Sequence, residues 1–297
     1  MRIRGERKLQ YEIGPLTPEE AEAIEEKIDA LDRSVVPPEE GAEEGEIVRI
    51  ITDGEGNIIA GGAAWIDRWK YADLSHLWVD ERYRNRGLGS RLFRAILRAV
   101  KERGCTLATV GLYSFQASAF CEKRGMTVFD TKRDCPKGYE HQYLSIRLDG
   151  DVPADEPGGE PFAIRSGDAD DSAFLLEKFY AYSFDRVPSA HAYLSFDRKI
   201  ADETGKLLAG VEAGVNGWNV GYVDCLWTEE PYRGQGMGSK LLREAEREIR
   251  AHGGERVLVS AFDWQGIAFF EKNGYAVTGT LDDFPKGRRY CCMEKQL

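Results

Sequence analysis

Arg84-Asn85-Arg86-Gly87-Leu88-Gly89-Ser90 and Arg233-Gly234-Gln235-Gly236-Met237-Gly238-Ser239 stand 149 positions apart and share one pattern, Arg-x-x-Gly-x-Gly-Ser. At the same offset Leu77-Trp78 meets Leu226-Trp227, and Pro136-Lys137-Gly138 meets Pro285-Lys286-Gly287. Phe120-Cys121-Glu122-Lys123-Arg124-Gly125 likewise meets Phe269-Phe270-Glu271-Lys272-Asn273-Gly274. From Ile51 to Gly138 no gap is needed, and about a third of the positions are identical. Solenoid repeats run roughly 20–50 residues, so this period is a whole domain. The chain therefore holds two copies of one fold.

The 297 residues leave room for two domains with real cores. An apolar share of 42% and a charged share of 31% fit a soluble globular protein, and no run approaches the roughly 18 apolar residues of a membrane helix. Met1-Arg2-Ile3-Arg4-Gly5-Glu6-Arg7-Lys8 lacks the apolar segment of a secretory signal. The six cysteines (105, 121, 135, 225, 291, 292) show no metal-ligand spacing and read as free thiols, so a cytoplasmic protein with no metal is expected. A net charge of −11 argues against a nucleic-acid binder, which needs a basic face; it suits an amine substrate, or simply solubility. The Pro/Gly-rich acidic stretch from Asp149 to Pro161 reads as a linker, giving domains 1–156 and 157–297 with the boundary near Pro157.

Within the first copy, Thr17-Pro18-Glu19-Glu20 is a helix start, with Thr as cap, Pro at the first helical position and Glu three residues on. Ile47–Ile51 and Ile58–Trp65 form a hairpin across Asp53–Asn57. A strand over about 72–79, matched by 221–228, leads into each Gly-rich loop. The following helices carry Leu88, Leu92, Ile96 and Val100 on one face, or Met237, Leu241, Ala245 and Ile249. A further strand (107–112; 256–261), a helix (117–124; 266–273) and closing strands complete a mixed α/β unit.

Glycines at a helix start bring backbone close to a ligand and aim unpaired N–H groups at it, where the helix dipole favours an anion such as pyrophosphate. A P-loop needs Gly-Lys-Ser/Thr, whereas Gly238-Ser239-Lys240 has the lysine last, and neither copy has Gly-x-Gly-x-x-Gly.

Arg84-x-x-Gly87-x-Gly89 and Arg233-x-x-Gly236-x-Gly238 resemble the acyl-CoA pyrophosphate loop of the GNAT (Gcn5-related N-acetyltransferase) superfamily. The preceding Leu-Trp strand end and the helices Phe120–Gly125 and Phe269–Gly274 extend the resemblance over most of both halves. It implies two tandem GNAT domains, each a mixed sheet flanked by helices, and direct transfer of acetyl from acetyl-CoA to a primary amine. The acceptor is expected to be a small molecule, with no nucleic-acid or membrane partner and with the two copies arranged as an intramolecular pseudo-dimer. Implied CoA contacts are Trp78, Val79, Arg84, Asn85, Arg86, Gly87, Leu88, Gly89, Ser90, Ser114 and Lys123 in the first copy. Those in the second are Trp227, Thr228, Arg233, Gly234, Gln235, Gly236, Met237, Gly238, Ser239, Asp263 and Lys272. For both tryptophans a core role is the alternative.

The chemistry needs a backbone N–H at the thioester oxyanion, implied at Val79 and Thr228, and a base to take a proton from the amine. The base position on the fourth strand is Asp73 in the first copy; in the second it is Tyr222, with Asp224 two residues on and of the same side-chain parity. Either carboxylate can instead be a solvated strand residue. The tyrosine that commonly protonates the CoA sulfur is replaced by Cys121 and Phe270; Cys121 is the one candidate acid, with a buried apolar thiol as its other reading. Asp73 and Cys121 together favour the first copy as the one that turns over. Rival readings are a CoA-binding sensor with degraded sites, and one active domain beside one structural domain. The four histidines, His76, His141, His191 and His252, do not recur between copies and carry no assigned role.

Overall fold

The computed structural model describes residues 11–150, 152 and 162–297. Pro157 and most of the expected linker lie outside the described residues, as does the charged N-terminal stretch. The first copy runs β1 (Ile13–Pro15), α1 (Pro18–Val35), β2 (Gly45–Thr52), β3 (Ile58–Ile66), β4 (Tyr71–Val79), α2 (Leu88–Glu102), β5 (Leu107–Tyr113), α3 (Ser118–Glu122), β6 (Thr127–Lys132) and β7 (His141–Arg147). The second runs β8 (Ile164–Ser166), α4 (Ala169–Arg186), β9 (Leu194–Ser195), β10 (Arg198–Ala201), β11 (Leu207–Val215), β12 (Val220–Thr228), α5 (Met237–Ala251), β13 (Arg256–Phe262), α6 (Ile267–Lys272), β14 (Ala276–Asp282) and β15 (Arg289–Gln296). Thr17 caps α1 in a complete capping box with Glu20, as its sequence predicts.

The compact units are not the two halves of the chain. Unit 1 takes the stretch up to Val36 with Ala190–Val277 and Tyr290–Leu297; unit 2 takes Pro37–Ser189 with Thr278–Arg289. A single cut near Pro157 does not reproduce this division, because each copy sends its first strand and helix into the other copy's sheet. In unit 1, β1 pairs antiparallel with β10, and the sheet continues β11-β12-β13-β15. In unit 2, β8 pairs with β2, and the sheet runs β6-β7-β5-β4-β3-β2-β8.

Two glycines seat the exchanged helices. A Cβ on Gly61 of β3 would lie 2.5 Å from Leu175 Cδ1 of α4, and both leucine and helix need that hollow. Its repeat partner Gly210 of β11 does the same for Ile24 of α1, at 2.2 Å. Leu175 and Ile24 are fully buried there. On the other face, α2 and α5 bury the apolar stripes read from the sequence, Leu92, Ile96 and Val100, and Leu241, Ala245 and Ile249.

Candidate active site

The site begins where two parallel strands part. β4 and β5 pair only at Tyr71↔Leu107, Ala72↔Ala108 and Asp73↔Thr109, although β4 runs on to Val79. β12 and β13 pair only from Val220↔Arg256 to Tyr222↔Leu258, although β12 runs on to Thr228. Past the last pair, one edge of each strand has no strand partner, and its amides open into a cleft. The unit 2 cleft holds about 400 Å³ and the unit 1 cleft about 620 Å³.

The Gly-rich loops form one wall. Asn85 and Gly87 have φ of 62° and 80°, and Gly234 and Gly236 have 74° and 83°. This left-handed region suits glycine and, next best, asparagine. Gly87 and Gly236 are the N-caps of α2 and α5, and neither helix start carries a side-chain cap. Nothing lies within 4 Å of where a Cβ would stand on either glycine. Uncapped amides beside open space make a cradle that fits the pyrophosphate of CoA.

Among the expected contacts, Trp78, Val79, Arg84, Asn85, Gly87, Leu88, Gly89 and Ser90 line the unit 2 cleft, with Cys121 at its floor. Trp227, Thr228, Arg233, Gly234, Gly236, Met237, Gly238, Ser239 and Lys272 line the unit 1 cleft, with Asp224 and Phe270. Arg86, Ser114, Lys123, Gln235 and Asp263 are not among the lining residues. Arg86 sits over the Tyr83 ring, Ser114 Oγ accepts the Glu140 amide at 3.1 Å, and Gln235 Nε2 donates to Pro231 O.

Arg84 and Arg233 each reach back to the strand that leads into their loop. Arg84 Nε donates to Val79 O at 3.0 Å, and Arg233 Nε donates to Thr228 O at 3.0 Å. Each guanidinium thereby fixes the free end of its strand, where the oxyanion donor is expected. The cation that reaches the unit 2 cleft from α3 is Arg124, whose Nε donates to Ser90 Oγ at 3.1 Å.

The expected bases separate. Asp73 does not line the unit 2 cleft. It sits at the last β4–β5 pair, where desolvation of the carboxyl raises its pKa against a hydrogen bond from Thr109 Oγ1 at 2.9 Å. Asp224 does line the unit 1 cleft. A β-bulge explains the difference. The register passes from Ala63↔His76 to Ala64↔Leu74, leaving Ser75 extra, and from Glu212↔Cys225 to Ala213↔Val223, leaving Asp224 extra. The bulge falls between the paired candidates, with Asp73 and Tyr222 before it and Ser75 and Asp224 at it, and such an extra residue departs from the simple alternation of a regular strand.

Burial raises the Asp224 carboxyl above the ordinary range, while Tyr193 OH, donating at 3.0 Å, holds it. Beside it Glu25, Glu212 and Cys225 bring ligand-type atoms within 4.8 Å of one another. Burial raises Glu212 and pushes Cys225 to about 12. None of the six cysteines forms a disulfide. Cys121 is buried in the core against α2, and its thiol is pushed up to about 11.

The sequence reading missed the residues that tie the exchanged helices to the clefts. Gln116 Oε1 accepts the Tyr113 amide, and its Nε2 donates to Ser183 Oγ of α4 at 2.8 Å. Gln265 Oε1 accepts the Phe262 amide, and its Nε2 donates to Asp32 of α1 at 2.8 Å. Both glutamines line their clefts and recur at the 149-residue offset, which was signal enough to find them. Phe179 and Tyr182 of α4 close the unit 2 cleft; Ile28 and Leu31 of α1 close that of unit 1.

The model of the acetyltransferase (GNAT) family matches twice, over residues 11–126 and 163–275, more than half the chain. The chain belongs to the GNAT acetyltransferase family. Among curated GNAT-type relatives, blasticidin-S acetyltransferase of Streptomyces morookaense is 34% identical over 96 residues, spanning 32% of this chain and 70% of that one. An acetyltransferase of Agrobacterium fabrum is 31% identical over 76 residues, 26% of this chain and 56% of its own. A crystal structure of a Bacillus cereus acetyltransferase is 31% identical, covering 44% of this chain and 94% of that chain at a TM-score of 0.43. The tandem GNAT fold expected from the repeat is thus established, and the protein is an acetyltransferase of that family. No helix among the described residues is long and apolar enough to cross a membrane.

Proposed function

We infer that the protein transfers acetyl from acetyl-CoA to the primary amine of a small molecule by direct attack, and that the unit 1 cleft performs it with Asp224 as base. The observation that carries this reading is Asp224 itself, a carboxylate at the bulge that lines the cleft beside the unpaired edge of β12. Its raised pKa brings it nearer the operating pH, where a base works best. Glu25, Asp197 and Glu212 surround it with negative charge or acceptor oxygens, which suits a cationic amine.

The ammonium loses one proton to Asp224, its nitrogen attacks the thioester carbon, the oxyanion takes backbone N–H donors at the free end of β12, and the second nitrogen proton passes to solvent. The C–S bond then breaks. With Phe270 in the cleft where a proton donor is expected, CoA leaves as thiolate. A thiol of ordinary pKa near 8.5 costs only about 2 kcal/mol to release this way at pH 7. The similarity to blasticidin-S acetyltransferase supports a small-molecule acceptor.

The test is thiol release from acetyl-CoA over a panel of spermidine, kanamycin and lysine, with Asp224→Asn compared against its parent in a Gly87→Trp background, which closes the unit 2 cleft. Turnover with at least one amine, lost in the variant while acetyl-CoA still binds, is expected. Binding of acetyl-CoA without turnover on any amine would favour the sensor reading instead.

A further inference from the structure

The unit 2 cleft lacks a carboxylate at the bulge, where Ser75 stands in place of Asp224. The next residue of β4, His76, occupies the position of Cys225 and lines the cleft. It is only 5% exposed, yet neither Nδ1 nor Nε2 has a hydrogen-bond partner among the described residues. Buried side-chain nitrogens are nearly always paired, and an imidazole left with both unpaired at a cleft wall is completed by what enters the cleft.

We propose that His76 is the proton acceptor of the unit 2 cleft, giving this chain a second acetyl-transfer centre built on imidazole rather than carboxylate. The inference rests on the reading of the chain as an amine acetyltransferase. The ionisable groups that neighbouring elements bring to this region are Glu46 of β2, Asp73 of β4, Arg84 of the loop, Cys121 and Arg124 around α3, and Tyr182 of α4. Of these, Glu46 is the one whose charge favours the imidazolium; it accepts Ser172 Oγ of α4 at 2.8 Å. Burial outweighs it and lowers the pKa of His76, so the ring is neutral at pH 7 and has a lone pair to offer.

The step balances on amine and thioester alone. The ammonium substrate carries two protons that the amide product does not keep. One passes to the His76 ring as the nitrogen–carbon bond forms, and from there to solvent. The other goes to the CoA thiolate released when the C–S bond breaks.

The experiment uses the full chain with Gly236→Trp, which closes the unit 1 cleft, and adds His76→Gln or His76→Asn. Thiol release is followed from pH 5 to 9 with spermidine, kanamycin and lysine, and acetyl-CoA binding is measured by calorimetry. In the Gly236→Trp protein, a rate that falls as pH drops through the lowered pKa of His76 is expected. Either histidine variant should lose about a hundredfold or more in rate, lose that acid limb, and bind acetyl-CoA unchanged. A rate within about threefold with the limb intact overturns the assignment. So does a Gly236→Trp protein inert to all three amines while Gly87→Trp turns over, an outcome that leaves the activity of the chain standing. Inertness of both single-cleft proteins sinks the activity reading and this inference together.

Discussion

Unit 1 and unit 2 share a frame but not their acid–base groups. Each has a strand freed from its parallel neighbour after three pairs, an arginine pinning the strand end, a glycine hollow for the exchanged helix, and a glutamine tethering that helix to the cleft. The differences fall where chemistry is done. At the 149-residue offset Asp224 corresponds to Ser75, Cys225 to His76, and Phe270 to Cys121. Backbone geometry that binds a common cosubstrate tolerates little change, whereas a proton acceptor can be supplied by several groups at several positions near the same point. Two copies can therefore keep one binding frame while their chemistry diverges.

The sharpest way to break this comparison is to close one cleft at a time. Gly87→Trp and Gly236→Trp each force a bulky side chain into a left-handed position facing the cradle. Each should reduce acetyl-CoA stoichiometry from two per chain to one, measured by calorimetric titration, and abolish turnover at that cleft. One site per wild-type chain would show that a single cradle works.

Asp224→Asn follows, with an expected loss of about a hundredfold in the Gly87→Trp background, where only unit 1 turns over. The base is the ionised carboxylate, so the rate of the Gly87→Trp protein falls as pH drops through the raised pKa of Asp224. The asparagine variant should lack that fall. An unchanged profile hands the deprotonation to water or to another group.

Much of this was legible in the sequence, and what was not has identifiable physical causes. Strand, loop and helix positions came from the repeat because glycine at a left-handed φ and the apolar stripe of α2 or α5 are local requirements. The exchange of β1–α1 and β8–α4 was invisible for the same reason that the repeat was visible. Gly61 and Gly210, and Leu175 and Ile24, are equivalent in the two copies, so a helix fits its own sheet or its partner's by the same local rules. Asp73 was favoured by counting along a strand, and a one-residue bulge then moved the working position. His76 was passed over because it does not recur, yet residues that set the two clefts apart are bound not to recur.

The exchange itself is tested next. Leu175→Ala and Ile24→Ala each empty a buried hollow and should cost about 2–5 kcal/mol by denaturant melt. Hydrogen exchange distinguishes the pairings. Leu175→Ala should loosen β2–β4, in the copy that does not contain it, and Ile24→Ala should loosen β11 and β12. Loosening within the same copy would return the helices to their own sheets.

The smallest effect is expected at Cys121, the one residue proposed from sequence as an acid for the departing sulfur. Its thiol is pushed up to about 11, so at neutral pH it is protonated, as a donor must be. The cost lies in giving the proton up. Transfer to a CoA thiolate of ordinary pKa near 8.5 runs uphill by about 3 kcal/mol, more than the thiolate gains by being protonated at pH 7. The same burial that raises the pKa places the side chain in the core beneath α2, where a small apolar group serves equally well. Cys121→Ala in the Gly236→Trp background should therefore change turnover by less than about threefold. A tenfold or larger loss, with acetyl-CoA binding intact, would show that the thiol does protonate the sulfur. The two clefts would then differ in leaving-group assistance as well as in base, because Phe270 gives the other cleft no counterpart.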